Sequence, residues 1–135
     1  MKKALLDTNA YAGFLSGDER ILHLVSRAQT VYMSVIVLGE LHAGFRGGFK
    51  KKQNIELLNK FMRKPSVETV DISIETAEIF GFLMNNLREA GTPLTINDVW
   101  IAAHAVETGS VLVTLDSHFK KIAGLRLWEE GLGID

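Results

Sequence analysis

Residues 2–9 read Lys2-Lys3-Ala4-Leu5-Leu6-Asp7-Thr8-Asn9. A short apolar run stops at an acid, two small polar residues follow, and a helix-like segment opens behind them. An acid at the carboxyl end of a first strand lies where an open α/β sheet keeps its functional crevice. Three further acids hold telling places: Glu40 inside an apolar segment, Asp98 at the opening of a helix, and Asp116 after a buried strand. The fold and the chemistry both turn on whether the four meet.

Outward from this stretch, residues 10–15 suit a short helix. Asp18 caps a second helix with Ile21, Leu22, Val25 and Ala28 on its apolar stripe. Residues 31–33 form a second short strand. Ser34 is placed to cap a helix over the segment up to Gly44, yet Val35, Ile36 and Val37 equally extend the strand, and periodicity alone does not decide. Residues 44–52 are the one glycine-rich, basic stretch. They read as a flexible loop leading into a helix with Ile55, Leu58, Phe61 and Met62 on one side.

Residues 67–72 alternate as a strand does, and a long helix follows over residues 74–90, with Gly91 where a C-terminal glycine belongs. A further helix opens at residues 95–98, buries Val99, Trp100, Ala103 and Val106, and stops at Gly109. Val111, Leu112 and Val113 are the best buried strand, and residues 125–128 form a final edge strand. This alternation predicts an α/β fold: a three-layer sandwich with a mostly parallel, Rossmann-like central sheet, in one domain over residues 1–135.

Composition narrows the function. The chain has 135 residues, 47% of them hydrophobic and 23% charged, which suits an ordinary globular core. Its net charge of -1 excludes a polycation that holds nucleic acid by bulk attraction, so any such contact needs local patches or metal ions. No cysteine is present, which excludes a disulfide scaffold and a thiolate zinc site. The apolar run after Met1-Lys2-Lys3 ends too soon for a signal peptide, and no run approaches a membrane span. The expectation is a soluble, cytoplasmic protein without membrane contact.

Each acid alone has an ordinary role. Asp7 and Asp116 suit helix caps, Asp98 lies three residues after Thr95 as in a capping box, and Glu40 suits an ion pair with Arg or Lys. Together they read differently. Strand ends and helix starts of a parallel sheet share one edge, and carboxylates gathered there repel one another without a cation. Hard oxygen ligands suit Mg²⁺ or Mn²⁺, and such ions activate water and stabilise the leaving oxygen of a phosphodiester.

Four segments then carry a resemblance: residues 5–9 around Asp7, residues 34–41 around Glu40, residues 97–105 (Asn97-Asp98-Val99-Trp100-Ile101-Ala102-Ala103-His104-Ala105), and residues 112–119 around Asp116. In this order they resemble a PIN domain, and more narrowly the VapC toxins of type II toxin–antitoxin modules. The resemblance covers essentially the whole chain. It implies a Mg²⁺- or Mn²⁺-dependent endoribonuclease, held inactive by a VapB-type antitoxin, forming a homodimer and a higher assembly with that antitoxin. It implies that Asp7 and Asp98 are metal ligands, that Glu40 and Asp116 complete the catalytic, metal-binding acid set, and that Thr8, Asn9, Thr114 and Ser117 support the site by hydrogen bonds. Four carboxylates attract a cation, so an antitoxin Arg or Lys is expected among them.

Other readings stand beside this one: a PIN nuclease of RNA processing that is no toxin, a silent PIN-like module that binds RNA or protein, or another acidic phosphotransfer fold. The last wants features that are absent here, such as a second acid two residues after Asp7, where Asn9 stands. Lys50, Lys51 and Lys52 read either as a solvated face or as a contact for RNA phosphates. His104 reads as a packed, hydrogen-bonded histidine. Trp100 reads as core or dimer interface, and Tyr11 and Phe14 as core or partner-groove packing.

Overall fold

The computed structural model describes residues 2–128. The strands are β1 (Lys3–Leu6), β2 (Thr30–Ser34), β3 (Val67–Val70) and β4 (Val111–Val113). The helices are α1 (Thr8–Leu15), α2 (Glu19–Arg27), α3 (Val35–Arg46), α4 (Lys51–Met62), α5 (Ile74–Ala90) and α6 (Ile96–Thr108), and a 3₁₀ turn spans Ser117–Lys121. The strand order is β3-β2-β1-β4 and every pairing is parallel. The chain therefore winds outward in both directions from β1, and the crevice of such a sheet opens beside that strand.

Burial explains the apolar runs. Ala4, Leu5 and Leu6 are each 0% exposed, although consecutive strand residues point to opposite faces. Both faces of β1 are thus covered by helices, as a parallel sheet requires. The register sets Leu6 beside Val113, and the Asp7 N–H extends that ladder to the Val113 carbonyl at 3.1 Å. Asp7 and the segment after β4 accordingly leave the sheet together.

Residues 35–37 are helical. The Ser34 hydroxyl accepts the Ile36 N–H at 3.1 Å, and β2 ends at that cap. The basic loop is shorter than expected, because α3 runs to Arg46 and α4 starts at Lys51, leaving four residues between them. In α2 the buried stripe is Ile21, Leu24, Val25 and Ala28, the i, i+3, i+4, i+7 set, whereas Leu22 faces out. Val106 of α6 is also largely exposed. Gly91 and Gly109 follow α5 and α6 with φ of 68° each, the left-handed backbone for which glycine carries no Cβ penalty. Residues 125–128 form no full strand. A single parallel bridge joins Leu127 to Leu112, with the Trp128 N–H on the Leu112 carbonyl at 2.9 Å.

Three side chains singled out in the sequence are packing groups. Tyr11 is 0% exposed and meets the Phe61 ring edge-on at 5.2 Å. Trp100 of α6 stacks on Phe80 of α5 at 3.9 Å. His104 is fully buried, its Nε2 3.1 Å from the Asp71 carbonyl and its Nδ1 2.8 Å from the Ser34 hydroxyl. A carbonyl only accepts, so Nε2 carries the proton and Nδ1 accepts from Ser34. Burial holds His104 below the ordinary histidine pKa. It ties α6 to the cap of α3, the two helices that carry Asp98 and Glu40. No helix among the described residues is long and apolar enough to cross a membrane.

Candidate active site

The four acids come from four separate elements and line one pocket of about 200 Å³, together with Thr8, Asn9, Ile101 and Phe119. Among the described residues, no Lys, Arg or His lines it.

Asp7 both caps a helix and faces the pocket. Its Oδ1 accepts the Ala10 N–H at 2.8 Å, as an N-cap of α1 should, and its Oδ2 accepts the Thr114 hydroxyl at 2.5 Å. Thr114 Oγ1 in turn accepts the Asp116 N–H at 3.0 Å. One hydroxyl therefore couples the end of β1 to the segment after β4. Asp116 caps the 3₁₀ turn through the His118 N–H at 2.8 Å and also meets His118 Nδ1 at 3.0 Å.

Glu40, half-buried on α3, is held from two other helices. Its Oε1 accepts the Thr8 hydroxyl at 2.5 Å and its Oε2 accepts the Asn97 amide at 3.3 Å. The Arg or Lys partner that the sequence left open is not what holds it. Asp98 sits in the first turn of α6, where Thr95 caps its N–H at 3.3 Å.

The electrostatics are those of anions kept together. Asp7 is 5% exposed, and burial lifts its pKa above the ordinary range despite the bonds from Thr114 and Ala10, with Asp116 and Asp98 adding to the rise. Burial also lifts Asp98, opposed by the bond from Thr95; the charges of Asp116 and Glu40 push it further and that of His118 opposes them.

Among the described residues, no group of three or more acidic or histidine side chains is drawn together closely enough to hold a metal ion. The donor set nevertheless fits Mg²⁺ or Mn²⁺. Mg²⁺ keeps several waters and takes one or two carboxylates rather than an all-protein cage, and a pocket lined by four carboxylates fits that chemistry.

The structure thus brings together Asp7, Thr8, Asn9, Glu40, Asp98, Thr114 and Asp116. Asn9 lines the pocket without a hydrogen bond to the acids. Ser117 makes none either; it opens the 3₁₀ turn with its side chain exposed and lines a neighbouring groove. Lys50, Lys51 and Lys52 lie at the α3–α4 connection and are absent from the pocket lining. Asn97 was given no role from sequence. The available signal was its place beside Asp98, in the first turn of a helix whose start faces the sheet edge.

Comparison with known proteins agrees with this fold. The PIN domain profile matches residues 4–125. The chain is 34% identical over 112 residues to a protein named ribonuclease VapC2 from Rickettsia felis, covering 81% of this chain and 82% of that one. It is 29% identical over 135 residues to ribonuclease VapC1 from Haemophilus influenzae, covering 93% and 96%. Among solved structures, the Rickettsia felis VapBC2 complex bound to a fragment of promoter DNA superposes with a TM-score of 0.81 at 30% identity, covering 93% of this chain and 97% of that one. VapBC-1 from nontypeable Haemophilus influenzae superposes at 0.83 and 26% identity, covering 94% and 97%. With a parallel sheet, an acid at the end of its central strand and a profile spanning nearly all the described residues, the chain belongs to the PIN domain family.

Proposed function

We propose that this chain is a Mg²⁺- or Mn²⁺-dependent endoribonuclease that serves as the toxin of a VapBC-type module. The observation that carries the proposal is the convergence of Asp7, Glu40, Asp98 and Asp116 on one pocket. The relatives named ribonuclease VapC support it.

Asp7 and Asp98 are the residues that would hold the ion, with Glu40 and Asp116 completing the set. When bound, a divalent ion lowers the pKa of a water and offsets charge on the phosphodiester. The chain supplies the rest. Thr114 fixes one Asp7 oxygen so that the carboxylate faces the pocket, and Thr8 and Asn97 fix both oxygens of Glu40. Asp7 and Asp98 would hold the ion as ionised carboxylates, the form that burial disfavours and a bound cation would favour. Ile101 and Phe119 form apolar walls that limit solvent around the reacting phosphorus. A water oxygen bonds to phosphorus in line as the bond to the 3′-oxygen breaks, leaving a 5′-phosphate and a 3′-hydroxyl.

Solved relatives include VapBC complexes, one bound to a DNA fragment from their promoter and another bound to DNA. By the same reading this chain dimerises, pairs with a VapB-type antitoxin in the cytoplasm, and receives a basic partner side chain among its acids. The test is incubation of the purified chain, free of antitoxin, with tRNA and rRNA in Mg²⁺ or Mn²⁺. Cleavage is expected, and is lost in chelator and in Asp98→Asn. Cleavage that persists in either control contradicts the proposal.

A further inference from the structure

Beside the acid pocket lies a second and larger opening, a groove of about 440 Å³. The two share Asp116, and the groove is also walled by Thr114, the hydroxyl that holds Asp7. Their chemistry is opposite. Among the described residues the pocket is lined by four acids and no Lys, Arg or His, whereas the groove carries Lys120, Arg20, Ser117 and Trp128.

The groove is braced. Trp128 is pinned to β4 through its N–H on the Leu112 carbonyl, and β4 leads directly into Thr114 and Asp116. Arg20 is gripped by Asp18 through two bonds, Nε to Oδ1 at 3.1 Å and Nη2 to Oδ2 at 2.8 Å. Its guanidinium lies 5.9 Å from the centre of the Trp128 ring, within reach of a cation–π contact. Arg20 therefore stiffens the wall, and exposed Lys120 is the cation offered to a ligand.

We infer that this groove is the subsite for the unpaired nucleotide flanking the scissile phosphate, with Lys120 on its phosphate and Trp128 against its base. A phosphodiester at the acids must continue into a neighbouring nucleotide. That nucleotide carries a negative charge the acid pocket repels and a flat base the pocket has little room for. The adjoining groove supplies the cation and the aromatic surface, the pairing by which proteins hold single-stranded nucleic acid. Stacking on one ring is tolerant of sequence, so the subsite selects unpaired RNA rather than a particular base.

The inference rests on the nuclease reading, and its test separates the two. Binding of a short unpaired RNA is followed by polarisation in chelator, with the parent chain, Lys120→Ala, Lys120→Arg and Trp128→Ala. Lys120→Ala is expected to weaken binding about five-fold and to lower the salt slope by about 0.7, one phosphate contact on a single strand. Lys120→Arg restores both, and Trp128→Ala weakens binding about ten-fold or more. In a Trp100→Phe background, quenching of Trp128 fluorescence by RNA reads the stacking without altering the groove, which covers the case in which Trp128→Ala does not fold.

Unchanged binding and salt slope in Lys120→Ala together with unquenched Trp128 overturns the subsite. If the same preparation still cleaves RNA with Mn²⁺, the nuclease reading survives that result. A parent chain that binds no RNA overturns the subsite as well, and whether it cleaves with Mn²⁺ decides the nuclease reading separately.

Discussion

The acid pocket has two sides, and they are held differently. On the sheet side, Asp7 and Asp116 are tied to backbone: each caps the turn that follows it, and Thr114 links them. On the helix side, Glu40 is held only by side chains, Thr8 from α1 and Asn97 from α6. The sheet side is therefore set by local geometry, three or fewer residues along the chain, with Thr114 added across paired strands. The helix side exists only when α1, α3 and α6 have docked. His104 contributes to that docking by joining α6 to the Ser34 cap of α3. One half of the site is built by turns and the other by tertiary packing.

The largest effect is expected from the acids themselves. Asp7→Asn and Asp98→Asn should each lower metal-dependent cleavage by about 10³-fold or more, since the charge stabilisation at stake is several kcal/mol. Asn also serves as an N-cap, so Asp7→Asn should leave α1 formed, as circular dichroism will show. Both changes remove an ionised group that burial disfavours. Without metal, both variants should melt above the parent chain, so activity and stability move in opposite directions.

A second prediction sharpens the contrast between the two sides. Thr114→Val strands the Asp7 Oδ2 and the Asp116 N–H, and should cost about 1–3 kcal/mol of stability as well as metal affinity. Thr8→Val frees one oxygen of half-buried Glu40. It should weaken metal binding about ten-fold or more while costing less stability than Thr114→Val, as paired denaturant melts and metal titrations will measure. Equal stability losses would erase the distinction drawn here.

The third concerns pH. The folded pKa values of Asp7 and Asp98 are raised, so above the ordinary value of 3.8 the folded chain holds protons that the unfolded chain has released. Their contribution to stability then falls as pH rises from 3.8 through the raised values, and is at its best below that window. In metal-free buffer the melting temperature of the parent chain, relative to Asp7→Asn, should fall across this range. Mn²⁺ should offset the fall, because it binds the ionised form. The smallest effect is expected from Asn97→Ala, whose exposed contact with Glu40 spans 3.3 Å: less than about a ten-fold loss of cleavage rate.

The same contrast explains what the sequence could reveal. Asp7 and Asp116 were legible because a strand ending at an acid, followed by a turn, is a local signal. Glu40 was legible as a charge among apolar neighbours, but its partners were not: Thr8 lies 32 residues away and Asn97 lies 57 away. Residues 35–37 were ambiguous because β-branched side chains suit a buried helix and a strand alike, and the Ser34 cap decides for the helix. The loop after α3 read as long because the glycines at 44, 47 and 48 lower helix expectation, although α3 runs past Gly44 to Arg46 and α4 starts at Lys51. The groove with Arg20, Lys120 and Trp128 had no sequence signature, since α2 supplies Arg20 while the other walls come from the far end of the described chain.

The central claim is that the four acids form one divalent-cation site. Calorimetric titration of Mn²⁺ into the purified chain, beside Asp7→Asn and Asp98→Asn, tests it most directly. The account predicts saturable binding by the parent chain that each substitution weakens sharply while the fold persists. Binding that is absent from the parent, or that both substitutions leave unchanged, would contradict it.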